Sequence, residues 1–565
     1  MDPFVVQLKG LCKAHPTRSK WIFVPTHAIG RTLGDRLVLE GTDWANLRFV
    51  TPLDIALRMG APFLVERGIT PSEEDLGPAL IMKLLLELPA SNTYFRPLAN
   101  QPRMAAALWS TLREARMAGL NAADLKPGAF VSSAKHAELS ALLTAYESFL
   151  TSTGRGDMAT VFVEALAHKD WCPIQKQDCW TELPDTIWSP LQRRLLDAMP
   201  GERILPTAFA IPGAKLPRRL EHAPVTRVAP DAKAAPLAFL LAPESAVKAG
   251  GETVQMFVAG GAEAEIEEVF RRILSASVSL DQVEICAASP TSPSLIWEKA
   301  LRYNWEVTLA DGIPAAMTRP GRALIAFADW IEDDFSAGRL RKLLQSGDVK
   351  LPKEMSIGAS RAARILVKAQ AAWGRETYRL ALGRQSRTDR TRAERDDISD
   401  DERERLKKDA DEADELAKWI DGLIASVPAP SAAGATGADG HNGPIDLQAL
   451  VACAIDFLQS VAARSNALDG AAAEALVASL HELKSLGDFR CPLAEALHFL
   501  TERVDNAVIA RERPRPGRLY VSTLRTAAFS SRRLLFVIGL EEGRVFPGPF
   551  EDPILLDDER AKISA

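Results

Sequence analysis

The run Arg515-Pro-Gly-Arg-Leu-Tyr-Val-Ser-Thr-Leu-Arg-Thr-Ala-Ala-Phe529, with Leu534-Leu-Phe-Val-Ile-Gly-Leu-Glu-Glu-Gly-Arg-Val-Phe-Pro547 close behind it, decides how this chain is read. Leu519–Leu524 and Leu534–Ile538 are short apolar runs that stop at polar residues or glycine, as buried strands of a parallel sheet do. Gly539 and Gly543 bracket a charged turn that Pro547 closes. Two fully buried strands at the end of a long chain need an earlier sheet to receive them.

Working outward, the earlier sheets are legible. Trp21–Pro25 and Leu47–Thr51 read as strands with a helix over Gly30–Leu39 between them, a βαβ opening. Apolar residues at helical spacing then cover Ala79–Leu88, Pro102–Ala118, Ala137–Leu150 and Met158–Ala167, and Arg203–Ala210 is a short strand candidate. A second βαβ unit follows, with Val254–Val258 as strand, Ala262–Leu274 as helix and Val283–Ala287 as strand. The helix Ser294–Tyr303 leads on to a second helical block.

The expected fold class is α/β, with two parallel-sheet cores, each interrupted by a helical insertion. The first core takes 1–70 and 180–221, and the first insertion takes 71–179. A connector spans 222–250. The second core takes 251–310 and 513–565, and the second insertion, with a flexible loop at 427–444, takes 311–512.

Bulk composition excludes little. At 565 residues the chain is long enough for several domains of about 100–200 residues each. Its 47% hydrophobic and 25% charged content is ordinary for a globular protein. The formal net charge of −6 argues against a chain that coats nucleic acid everywhere, but permits a local basic channel. No apolar run reaches the roughly 18–20 residues a membrane span requires, and the N-terminus has no signal-peptide pattern. The scattered cysteines fit free thiols in a reducing cytoplasm.

The closing segment resembles the motor core of UvrD-like DNA helicases, where a strand carrying Thr-x-His-x-x-Lys-Gly precedes one ending Gly-Leu-x-Glu-Gly-x-Phe-Pro. Here Arg525, Ala528 and Phe529 replace the histidine, lysine and glycine. The turn from Gly312-Ile-Pro to Thr318-Arg-Pro-Gly-Arg322 resembles the start of the second insertion in AddB-like proteins. A helicase plan with broken motifs is the pattern of the inactivated AddB and RecC subunits. The resemblance implies RecA-like cores, binding to single-stranded DNA and duplex ends, and an AddA-type helicase/nuclease partner in double-strand-break processing. It also implies a PD-(D/E)XK nuclease module, with Mg²⁺ and often an iron–sulfur cluster, expected to lie beyond these residues. The 565 residues themselves are expected to hold no metal or cofactor and not to cut DNA.

An active motor needs Gly-x-x-x-x-Gly-Lys-Ser/Thr, whose amides and lysine hold phosphates. At the matching place stands Pro25-Thr-His-Ala-Ile-Gly30-Arg31-Thr32. Pro25 lacks a backbone donor and Arg31 is no substitute for an ammonium point charge. The resemblance also points to DNA contacts by Arg513, Arg515, Arg518, Arg525, Arg532 and Arg533, with Phe529 stacking on bases. Competing readings are an active helicase with divergent motifs and an architectural α/β protein. The near-motifs His168/Cys172/Cys179 and Asp469/Glu482/Lys484 lack the spacing or setting of a zinc or nuclease site.

Overall fold

The computed structural model describes all residues except 1, 72–75, 211–224, 230–253, 290, 432–442, 525, 531, 542–544, 546–551 and 565. Most of the expected connector 222–250, most of the loop 427–444, and much of the Gly539–Pro547 turn therefore lie outside the described residues. The chain is mixed α/β and divides into two compact units. One contains Met1–Glu73, Ser110–Asp311 and Glu512–Ala565; the other contains Glu74–Trp109 and Gly312–Arg511. The expected first insertion, 71–179, is thus divided between them. No helix among the described residues is long and apolar enough to cross a membrane.

The first unit holds two four-stranded parallel sheets. The first is built from β1 (Lys20–Phe23), β2 (Leu47–Val50), β3 (Cys179–Glu182) and β4 (Glu202–Arg203), in the order β2-β1-β3-β4. Side chains alternate across a strand, and both faces of β1 are apolar. Trp21 and Phe23 pack with Val50, Trp180, and Ile55 and Met59 of the helix Pro52–Glu66. Ile22 and Val24 face the opposite way, against α1 (Pro3–Ala14) and α2 (His27–Leu39), where Phe4, Leu8, Ile29 and Leu33 are buried. The candidate strand Arg203–Ala210 is split. Glu202–Arg203 closes this sheet, while Thr207–Phe209 pairs separately with Thr226–Val228.

The second sheet takes β5 (Val283–Ala287), β6 (Val307–Leu309), β7 (Leu519–Thr523) and β8 (Leu534–Ile538), in the order β6-β7-β5-β8, all parallel. β5 is therefore flanked by two strands that arrive roughly 230 residues later. The helices α3 (Ala262–Ala276) and α4 (Ser292–Arg302) follow the expected pattern, within two residues at each end.

The expected strand Val254–Val258 is a correction. These residues pair with no strand among the described residues, and Met256 and Val258 are 93% and 100% exposed. The segment instead lies beside α3, where Arg272 sits over the Phe257 ring at 4.5 Å and donates to Gln255 at 3.2 Å. Its β-forming composition is a local property, whereas a strand also needs an edge to pair with.

The second unit is helical. Phe327 stacks on Phe457 with centroids 4.1 Å apart, and the buried Trp330 donates to the Tyr378 hydroxyl at 3.0 Å. Its chain entry and exit are tied by Ile313–Pro314 pairing antiparallel to Val508–Ile509. Gly312 begins this crossing with φ +75°, and a Cβ there would stand 2.2 Å from the Ile509 carbonyl oxygen, so only glycine fits.

Candidate nucleic-acid interface

The turn after β1 differs from the expected nucleotide loop. Helix α2 begins at His27 rather than Gly30, because the Thr26 side chain accepts from the Ile29 amide at 3.4 Å as its N-cap. Only Val24, Pro25 and Thr26 separate β1 from the helix, which leaves no wide loop of free amides. Gly30, Arg31 and Thr32 are all helical. The Thr32 hydroxyl is buried and donates back to the Ala28 carbonyl at 3.1 Å. Gly30 has a packing role: a Cβ there would lie 2.6 Å from Phe49 Cβ on β2. Arg31 is half-buried, and its guanidinium has no hydrogen-bond or ion-pair partner among the described residues.

The 3₁₀ turn Ala527–Phe529 follows β7 and meets α2. Phe529 is 9% exposed, in the apolar cluster of the first sheet, with its ring 6.5 Å from that of Phe4. The stacking role expected of it is therefore corrected, because a base cannot reach a ring that closes a core.

The arginines separate into two groups. Arg532 is held by the second sheet. Its Nε donates to the Asp281 carbonyl at 3.2 Å, its guanidinium lies 4.3 Å from the Tyr520 ring, and Nη1 is 3.7 Å from Glu284. Arg518 is paired with Glu306 at 2.9 Å and Glu512 at 3.5 Å. Arg532 and Arg518 are therefore engaged in ion pairs, with carboxylates that include Glu284 and Glu306 from segments far away in sequence. Arg515 is more open, 3.8 Å from Glu512 and 56% exposed. Arg513 and Arg533 are exposed, and their guanidiniums are unpaired among the described residues. Arg525 lies outside them, as does the Ala528 side chain. Arg513, Arg515 and Arg533 are thus the most open described guanidiniums of this set.

Beneath Arg532 lies a polar sheet face that the sequence pattern alone did not bring out. Register places Glu284 beside Tyr520, and Cys286 beside Ser522, on the same side of the sheet. Glu284 is fully buried, accepts from the Ser522 hydroxyl, and among the described residues leaves Oε2 without a hydrogen bond. Burial pushes its carboxyl up, against the opposing pull of Ser522, Ser530 and Arg532. Burial, with Glu284 adding, pushes the Cys286 thiol up to about 11, so it is not a poised nucleophile. Asp311 accepts from the Thr523 and Thr526 hydroxyls at 2.8 and 3.1 Å, fixing the exit from β7. A signal for this face existed in the alternation Glu284-Ile-Cys286 and Tyr520-Val-Ser522.

The first sheet has its own polar hub. Glu182, at the C-terminal end of β3, accepts from Trp188 at 2.6 Å, Arg193 at 2.7 Å and Arg203 at 2.7 Å. It borders a cavity of about 840 Å³ lined by Leu112, Leu139, Leu143, Leu183, Ile187 and Leu555. Charged groups at the cavity wall are already paired, Glu114 with Arg560 and Asp185 with Arg227.

No family model matches the chain, and no curated protein matches it. The near-motifs have ordinary partners. Asp469 lies in the first turn of its helix, accepting from Ser465 and from the Arg319 amide, and Glu482 lies 3.6 Å from Arg503. His168 stacks on Phe63, and Cys172 lies 3.6 Å from the Met199 sulfur. No group of three or more metal-ligating side chains occurs among the described residues.

Proposed function

We propose that this chain is a catalytically silent, helicase-like DNA-binding subunit of the AddB type, working beside an AddA-type motor on double-strand-break ends. The observation that carries the reading is the second sheet. β5 is completed by β7 and β8 after a long helical unit has intervened, while the first sheet has the same parallel character. Two RecA-like cores interrupted by helices would have this order. The early start of α2 supports a motor that lacks nucleotide chemistry, since the Gly30 amide, at the place of a phosphate donor, is bonded to the Thr26 carbonyl at 3.3 Å inside the helix. Arg513, Arg515 and Arg533 supply open positive charge in the closing segment.

Fluorescence anisotropy with a single-stranded oligonucleotide tests this reading. Binding should weaken steeply with salt. Replacing Arg513, Arg515 and Arg533 by alanine should flatten the slope by about 2, since each phosphate neutralised on a single strand contributes roughly 0.7. A wild-type chain that binds no DNA at low salt would sink the proposal. DNA-stimulated ATP hydrolysis would favour the active-helicase reading instead.

A further inference from the structure

In the second unit, α5 (Thr377–Ala393) and α6 (Asp400–Ser426) form a helical hairpin with segregated charge. α5 carries five arginines and one carboxylate, Asp389, which is buried and bonded to Lys368 at 2.8 Å. α6 carries ten carboxylates against five basic residues. Helices so matched normally cancel their charges across the seam. Here Arg390 bridges it, reaching Asp411 and Asp414, while Arg379 pairs locally with Glu376.

The other three arginines of α5, Arg384, Arg387 and Arg392, are exposed, and their guanidiniums have no partner among the described residues. Arg384 and Arg387 lie three apart, on the face that also carries Leu380, 62% exposed. Just ahead of the helix Trp373 is 70% exposed, an unusual position for so large a ring. At roughly 100° per residue Arg392 stands about 80° round the helix from Arg384, so Arg384 and Arg387 share one face and Arg392 lies on its flank. Open guanidiniums and an exposed indole are the groups that bind the phosphates and bases of a nucleic-acid strand.

We infer that the exposed side of α5 is a second nucleic-acid binding surface, with Arg384 and Arg387, flanked by Arg392, on phosphates and Trp373 stacking on a base. It rests on the reading of the chain as a DNA-binding protein, and adds a site remote in sequence from Arg513–Arg533. An acidic protein partner would use the same charges but has no need of the indole.

The test is anisotropy of the full chain on a single-stranded oligonucleotide, in parallel for wild type, Arg384→Ala/Arg387→Ala/Arg392→Ala and Trp373→Ala. The triple variant should bind at least tenfold more weakly, with a salt slope flatter by about 2. Trp373→Ala should weaken single-strand binding by about tenfold, with little effect on a blunt duplex. Unchanged circular dichroism in both variants checks the fold. If wild type binds and the triple variant matches it in affinity and slope, the α5 surface is wrong while the general reading stands. If wild type does not bind, both fall. Polyglutamate competing as well as DNA at equal charge would overturn the assignment to nucleic acid.

Discussion

The two sheets of the first unit share strand number and direction but differ in what their faces carry. In the first, Trp21 and Phe23 on one side and Ile22 and Val24 on the other are all buried against apolar helices. In the second, Ile285 and Val521 face one way, and Glu284, Cys286, Tyr520 and Ser522 face the other, all buried. Burying a carboxylate is costly unless it is paired and hydrogen-bonded. The central strand of the first sheet is therefore held by shape and burial, with the buried Glu182 paired to two arginines at the strand end, whereas β5 and β7 of the second sheet carry a polar face whose carboxylate faces one arginine.

The sharpest test of that contrast is Trp21→Ala. A fully enclosed indole at the centre of the first sheet should be worth about 3–5 kcal/mol in denaturant unfolding. A loss below about 1 kcal/mol would mean that the two faces of β1 are not a closed core.

Next in size is Arg532→Ala, which leaves Glu284 buried without its nearest positive charge. A loss of about 3 kcal/mol is expected, and Glu284→Gln in the same chain should restore most of it. The single Glu284→Gln variant carries a pH signature. Because the folded state raises this carboxyl, the folded protein holds the proton more tightly than the unfolded chain does. The Glu284 contribution therefore falls as pH rises from the ordinary carboxyl range through the raised value, then levels off. Glu284→Gln should remove that fall, gaining on wild type towards neutral pH. Parallel unfolding curves at every pH would show that Glu284 does not titrate with folding.

A smaller effect is expected from Gly30→Ala, about 1–3 kcal/mol, because the new methyl would collide with Phe49. Phe49→Ala should relieve part of the cost. A neutral Gly30→Ala would place α2 further from β2 than described. The smallest effect is expected from nucleotide. Millimolar ATP should not raise the melting temperature detectably, since a site occupied at a hundred times its Kd would add about 2.7 kcal/mol. A clear shift abolished by Arg31→Ala would return this turn to nucleotide chemistry.

The contrast also explains how far the residues alone could be read. β8 is legible because Arg533 and Gly539 bound a continuous apolar run, and β5 because Val283–Ala287 has the same compact form. The misreading of Val254–Val258 has a physical cause: residue type reports willingness to be extended, not the availability of a neighbouring edge. The start of α2 could have been found from Thr26, a good N-cap before apolar helical spacing. By contrast, the pairing of Arg518 and Arg532 is invisible in sequence, because Glu306 and Glu284 become their neighbours only when distant strands pair.

The long interval inside the second sheet has a consequence during synthesis. β5 leaves the ribosome roughly 230 residues before β7 can flank it, and at about 5–20 residues per second that is roughly ten to fifty seconds. For that time Val283 and Ile285 have no lasting partner, and the edges of β5 are open to pairing with another nascent chain. The helical unit emerging in between can complete its own core first, so that its two ends, tied at Gly312 and Ile509, shorten the span that β7 must search to find the waiting strand.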